Sequence, residues 1–157
     1  MPGVGKSTLG VLLAKASGRD FIDTDVRIQA REGRALQDII DTDGVAVFRR
    51  IEERAVRELQ CNATVVSTGG SVVYSPPAMQ HLRTLGTIVH LALPLPLLRS
   101  RLQDFGTRGV VMQPGQSLED LFAERDPLYR RYADVTVDCS GKRHEEAVGE
   151  ILKKIGC

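Results

Sequence analysis

Apolar positions along this chain fall into short runs that switch between two periods. Leu9, Leu12, Leu13 and Ala16 recur at the three- and four-residue spacing of a helix face, and Gly18 follows as a C-terminal stop. Phe21-Ile22 is a short buried strand ending in Asp23-Thr24-Asp25, so two carboxylates stand at its C-terminal edge. Ile28, Leu36, Ile39 and Ile40 predict short helices around Gly33. Phe48, Ile51, Ala55 and Leu59 predict a longer one, with Arg49 beside its apolar stripe. Ala63-Thr64-Val65-Val66-Ser67 is a β-branched strand, broken at once by Thr68-Gly69-Gly70-Ser71. Pro77 to Leu85 reads as helix, Thr87 to Leu91 as strand, and Pro94 and Pro96 open a helix that ends near Gln103. From Phe105 to Ser117 the residues Gly106, Gly109, Pro114 and Gly115 interrupt any period, which predicts a lid loop over about 104–118. Leu118 to Tyr132 returns to helix, Val135-Thr136-Val137 is a last strand, and Ala147, Ile151 and Ile155 mark a closing helix. Strands alternating with helices predict a three-layer α/β/α fold around a parallel sheet covered on both faces.

Length and composition narrow the picture. With 157 residues and no internal repeat or linker, a single domain over 1–157 is expected. Twenty-one Lys and Arg against twenty Asp and Glu leave a net charge of +1, with no basic run to follow a nucleic-acid backbone. No stretch approaches the ~18 consecutive apolar residues of a membrane span. Cys61, Cys139 and Cys157 lack the spacing of a zinc site or a disulfide framework, and His81, His90 and His144 are scattered. Reduced thiols in a cytoplasmic monomer, without nucleic-acid or membrane partners, are the expectation.

The opening residues carry the strongest chemistry. Pro2-Gly3-Val4-Gly5-Lys6-Ser7-Thr8 matches the P-loop pattern G-x-x-x-x-G-K-[ST] in all but its first glycine, a position that falls just before Met1. Glycines let successive amides turn toward an anion, the helix N-terminus adds positive potential, Lys6 reaches the β- and γ-phosphates, and Ser7 can ligate Mg²⁺. Asp23 and Asp25 are candidates to hold the magnesium water shell and to orient a hydroxyl nucleophile; the alternative is an aspartate capping the next helix. For Arg49 and Arg125, taken singly, the alternative is a charge on a solvated helix face. Arg108 lies between glycines of the lid, where an arginine has little structural work; the alternative is a solvated loop charge.

Taken together, the P-loop, Phe21-Ile22-Asp23-Thr24-Asp25, Phe48-Arg49-Arg50-Ile51-Glu52, Gly69-Gly70, Arg108 and Arg125-Asp126-Pro127-Leu128-Tyr129 resemble shikimate kinases in order and spacing, across essentially the whole chain. The resemblance implies a nucleoside-monophosphate-kinase-like fold, ATP and Mg²⁺ as cofactors, and phosphorylation of the 3-hydroxyl of shikimate. It implies that Gly3, Val4, Gly5, Lys6, Ser7, Thr8, Arg101 and Arg108 bind the nucleotide, with Arg101 packed on adenine. Asp25, Arg49, Gly69, Gly70 and Arg125 would bind the acceptor within a region of about 26–60 and the following loops. Ser7 and Asp23 would serve the metal, and Lys6, Asp25 and Arg108 would carry catalysis. Two positions depart from the family's usual three glycines and Arg-Pro: Gly69-Gly70-Ser71 and Arg108-Gly109. A kinase of another hydroxy acid or amino alcohol, gluconate-like or homoserine-like, stays open as an alternative, as does a kinase-like binding module impaired in catalysis.

The physical chemistry agrees with that reading. A loose phosphoryl-transfer transition state needs positioning and cationic charge, which Lys6, Mg²⁺ and Arg108 would supply. Two arginines suit a carboxylate because each guanidinium presents a planar fork of donors. A P-loop ordinarily joins a central parallel strand to its helix, and no residues for that strand precede Met1. The expectation is a sheet whose central strand is missing from this chain, with the protein beginning roughly ten residues earlier.

Overall fold

Among the residues that the computed structural model describes, 1–105, 111–113 and 115–156, helices and strands alternate as the periodicity predicts. The order is α1 (Lys6–Ser17), β1 (Asp20–Asp23), α2 (Thr24–Glu32), α3 (Leu36–Asp43), α4 (Val45–Arg57), β2 (Thr64–Ser67) and α5 (Pro76–Leu85). It continues with β3 (Val89–Ala92), α6 (Leu95–Phe105), α7 (Leu118–Tyr132), β4 (Val135–Asp138) and α8 (His144–Ile155).

Local chemistry sets the boundaries. Gly18 ends α1 in the left-handed region at φ 64°, returning its amide to the Ala14 carbonyl. Ser75 caps α5 by accepting from the Ala78 amide, with proline in the first turn. Ser117 and Asp120 form a reciprocal capping box at the start of α7. Several boundaries shift by a residue or two from the sequence reading, and two differences have a visible cause. β3 begins at Val89 rather than Thr87, because the Ile88 amide donates to the Asp134 carboxylate, which ties off the entry to the strand. The stretch after Gly69 is a 3-10 turn, Gly70–Tyr74, rather than an open loop. Its Ser71, Val72 and Val73 are buried, so the two valines draw the turn into the core.

The sheet is divided. β1 pairs parallel to β2, from Asp20 opposite Thr64 to Asp23 opposite Ser67, and β3 pairs parallel to β4, from Val89 opposite Val135 to Ala92 opposite Asp138. No described strand joins the two pairs, as expected for a parallel sheet without its central strand. Between them lies a cavity of about 470 Å³, walled by residues 64–68 on one side and 88–91 on the other. Leu9 and Leu13 of α1 and the side chain of Met1 also line it. Because each pair uses only its outward edges, the inner edges of β2 and β3 face this space.

Three apolar clusters surround the divided sheet. The first gathers Leu9, Leu98, Leu121, Val137 and Ile151; the second Val56, Leu59, Val72, Ala78 and Met79; the third Ile28, Leu36, Ile39, Phe48 and Val111. The third ties α2, α3 and α4 together and fixes the inner face of α4, the helix that carries Arg49 and Glu52. Among the described residues no helix is long and apolar enough to cross a membrane. Cys61 and Cys139 are free thiols, and Cys157 lies outside the described residues.

Candidate active site

The loop before α1 is shaped by its glycines. Gly3 and Gly5 sit at φ 73° and 95°, a region that L side chains rarely enter. A Cβ on Gly3 would also press within 3.2 Å of Leu102 Cδ2. Gly5 leads directly into α1, and no side chain caps that helix, so its first amides and its positive end are presented to the loop. An anionic phosphate fits this arrangement. Val4 is buried and anchors the loop, while Ser7 and Thr8 are exposed in the first turn of α1. Lys6 Nζ donates to the Met1 carbonyl at 3.0 Å. Burial lowers its pKa, and the neighbouring Asp25 carboxylate is the main opposing influence. Arg101, from α6, donates to the Val4 carbonyl at 3.3 Å and so stands beside the loop.

At the end of β1 the two aspartates divide the work. Asp23 is the N-cap of α2, its Oδ1 accepting from the Asp25 amide at 2.9 Å and the Val26 amide at 3.3 Å. The capping alternative weighed for this residue is therefore realised. Asp25, in the first turn of α2, has a buried Oδ1 without a hydrogen-bond partner. Burial first, and then the Asp23 charge, push its pKa up to about 6, against the pull of Lys6.

A second wall faces Asp25. Glu52, Gly69, Gly70, Ser71 and Arg125 line a pocket with it. A Cβ on Gly69 would run into Glu52 Oε1 and come within 2.7 Å of Asp25 Oδ1, so both carboxyls would have to shift to admit it. A Cβ on Gly70 would lie 3.2 Å from both Arg125 Nη1 and the Tyr129 hydroxyl, which itself donates to the Gly70 carbonyl at 2.7 Å. Arg125, only 1% exposed, donates through Nε to the Tyr74 hydroxyl at 3.1 Å and through Nη2 to the Val111 carbonyl. The Arg49 guanidinium lies 4.0 Å from the centre of the Tyr74 ring, and its buried Nε has no hydrogen-bond partner. For Arg125 the alternative of a solvated surface charge is set aside by this burial, whereas Arg49 is half-buried with its Nε enclosed.

Glu52 is also 1% exposed. Its Oε2 accepts from the Ser71 hydroxyl at 2.6 Å, while Oε1 has no partner. Burial pushes its pKa up to about 7, although the Ser71 hydrogen bond and the Arg125 and Arg49 charges act to lower it.

The structure thus gathers Lys6, Asp25, Arg125, Gly69 and Gly70 around one cleft, with Arg49 reaching it over Tyr74 and Arg101 at the P-loop side. Arg108 and much of the lid over 104–118 lie outside the described residues. Among the described residues no cluster of three or more His, Cys, Asp or Glu is arranged for a metal ion. Two residues of the site received no role from the sequence. Tyr74 sits beyond the glycines and gave no local signal. Glu52 did: Phe48 and Val56, four residues to either side of it on α4, are buried, so an acid stands on a buried helix face.

Comparison with known proteins agrees with this arrangement. A family model described as shikimate kinase matches residues 2–156. A shikimate kinase of Chromohalobacter salexigens is 41% identical over 97% of this chain and 86% of its own length, and one of Mycobacterium avium is 39% identical over 99% and 89%. The solved structure of shikimate kinase from Acinetobacter baumannii in complex with shikimate superposes with a TM-score of 0.89 at 33% identity, covering 98% of this chain and 87% of that one. The Aquifex aeolicus enzyme gives 0.82 at 30% identity, covering 99% and 92%. A P-loop beside a pocket lined by a buried acid and a buried arginine, in a chain matched from end to end, makes this protein a member of the shikimate kinase family.

Proposed function

We propose that this chain transfers the γ-phosphoryl group of ATP to the 3-hydroxyl of shikimate, as a cytoplasmic enzyme of aromatic amino-acid biosynthesis. The observation that carries the reading is the pocket in which Asp25 and Glu52 each turn an unpartnered oxygen toward Gly69 while Arg125 closes the far side. A polyhydroxylated carboxylate matches that set: guanidiniums for its anion, carboxyl oxygens for its hydroxyls.

Magnesium-bound ATP supplies the phosphoryl group and part of the charge neutralisation when present. The remaining roles fall to side chains and backbone. The amides around Gly3, Val4 and Gly5, with Lys6 and Thr8, hold the phosphates. Ser7 and the Asp23 oxygen not engaged in capping would hold the metal. Arg101 stands where it can face the base, and Arg108 would complete the phosphate site from the lid. Arg49 and Arg125 clamp the acceptor carboxylate, and Gly69 and Gly70 let the acceptor approach the backbone. Asp25 Oδ1 accepts the proton that leaves the acceptor hydroxyl as its oxygen bonds to phosphorus, a task that a pKa near 6 suits at neutral pH. Catalysis then rests on positioning and on preorganised positive charge.

The test is coupled ADP release with shikimate, gluconate and homoserine offered in parallel. Shikimate should be turned over fastest, Lys6→Ala should lose about 10²-fold or more in turnover, and Asp25→Asn should lose turnover with little change in ATP affinity. Faster turnover of gluconate or homoserine would replace the acceptor assignment, and no ADP release above background would reject the kinase reading.

A further inference from the structure

Ser71 is buried to 2% exposure, and its hydroxyl has one identified partner, Glu52 Oε2 at 2.6 Å. A buried carboxyl with one oxygen engaged and the other unsatisfied is costly unless something else completes it. Glu52 Oε1 is that unsatisfied atom, and it converges with Asp25 Oδ1, also unsatisfied, on the space beside the Gly69 Cα. The groups facing Glu52 come from every element packed around it: Arg49 on its own helix α4, Asp25 on α2, Lys6 at the start of α1, Arg125 and Tyr129 on α7, and Ser71 in the 3-10 turn. Of these, Ser71 makes the short hydrogen bond that fixes the direction of the carboxyl. We propose that Ser71 is a positioning residue of the acceptor site. Its hydroxyl favours the ionised form of Glu52 and fixes the carboxyl with Oε1 turned toward Asp25, so that an acceptor hydroxyl can donate to it.

Two carboxyls share this buried corner, and the Asp25 charge adds to the burial that raises the proton affinity of Glu52. Removing the donor leaves Glu52 with more burial than compensation, so its proton is held to higher pH. A protonated Glu52 presents a donor where the acceptor hydroxyl also needs to donate. The loss should therefore fall on acceptor binding, at the acid side of the pH profile, and leave the nucleotide untouched.

This inference rests on the kinase reading for its kinetic readout but has a second readout that does not. The comparison is between wild type, Ser71→Ala and Ser71→Thr, with the same Ser71→Ala change in a Glu52→Gln background. At pH 7 Ser71→Ala should raise the shikimate KM by about 10-fold, the scale of one hydrogen bond to a charged group. The ATP KM should hold, and the deficit should shrink above pH 8. Ser71→Thr, which keeps the hydroxyl, should stay near wild type, and in the Glu52→Gln background Ser71→Ala should add little. In the protein without substrates, carbon-13 carboxyl NMR should show the Glu52 titration midpoint moving to higher pH in Ser71→Ala. An unchanged midpoint in a folded Ser71→Ala protein overturns the proposal, as does a KM increase equal at all pH values. If shikimate proves not to be the acceptor, the NMR midpoint still decides the role of Ser71.

Discussion

Filling the space between β2 and β3 should stabilise the fold more than any surface substitution. The perturbation is an extension of five apolar residues and a glycine joined to the Met1 nitrogen, long enough to run along the cavity as a strand. At ~24 cal/mol per Å³ of unfilled volume, a 470 Å³ space corresponds to about 11 kcal/mol as an upper bound. Ordering the six added residues costs about 1–2 kcal/mol each, which leaves a net gain of up to about 5 kcal/mol. The peptide bond also replaces the Met1 amine, whose burial lowers its pKa well below the usual value. For a chain of this size ~3 kcal/mol corresponds to about 6–12 °C in Tm. Thermal melts of the unextended chain, the apolar extension and a Lys- and Asp-rich extension of equal length make the comparison. Hydrogen exchange at the inner-edge amides of β2 and β3 tells strand pairing from unspecific stickiness. If the apolar and charged extensions melt together, or if those amides exchange as fast as before, the space does not accept a strand and the reasoning fails.

Two further predictions concern the pocket. Gly69→Ala should abolish acceptor turnover while ATP still binds, because its Cβ would occupy the point bracketed by Glu52 Oε1 and Asp25 Oδ1; isothermal titration with ATP and the coupled assay report the two halves, and normal turnover would refute it. Glu52→Gln should become more stable relative to wild type as pH rises from 5 to 8, by up to about 3 kcal/mol. The sign follows from a folded pKa of about 7 against an ordinary 4.5, so the folded wild type binds the extra proton and loses stability as that proton leaves. The difference is the diagnostic quantity, since His90, whose pKa burial lowers to about 4, titrates in the opposite sense. A difference between the two proteins that does not change with pH would count against a strained Glu52.

Periodicity and turn chemistry made most elements legible, because helix stops such as Gly18 and caps such as Ser75 are written in single residues. The start of β3 was not, since the side chain that ties off Ile88 belongs to Asp134, 46 residues away. The division of the sheet was legible only through the P-loop, whose motif demands a strand before it. Within the site, Lys6, Asp25 and the glycines could be read locally. The two arginines needed the joint pattern, as each alone resembles an ordinary helix-surface charge. Tyr74 could not be read, because its role arises only where α4, α7 and the 3-10 turn meet. Asp23 answers to both readings, as a realised helix cap with a second oxygen left over.

The ring of Tyr74 has a consequence for how an anion enters. Arg49 rests on a π face, and Arg125 is held by a phenol oxygen and a peptide carbonyl. These neutral partners orient the guanidiniums without forming an ion pair. Had an acid held either arginine, an arriving carboxylate would first have to exchange with it, and that exchange would set a barrier. Among the described residues no acid is ion-paired to either guanidinium, so the incoming anion exchanges only with neutral partners.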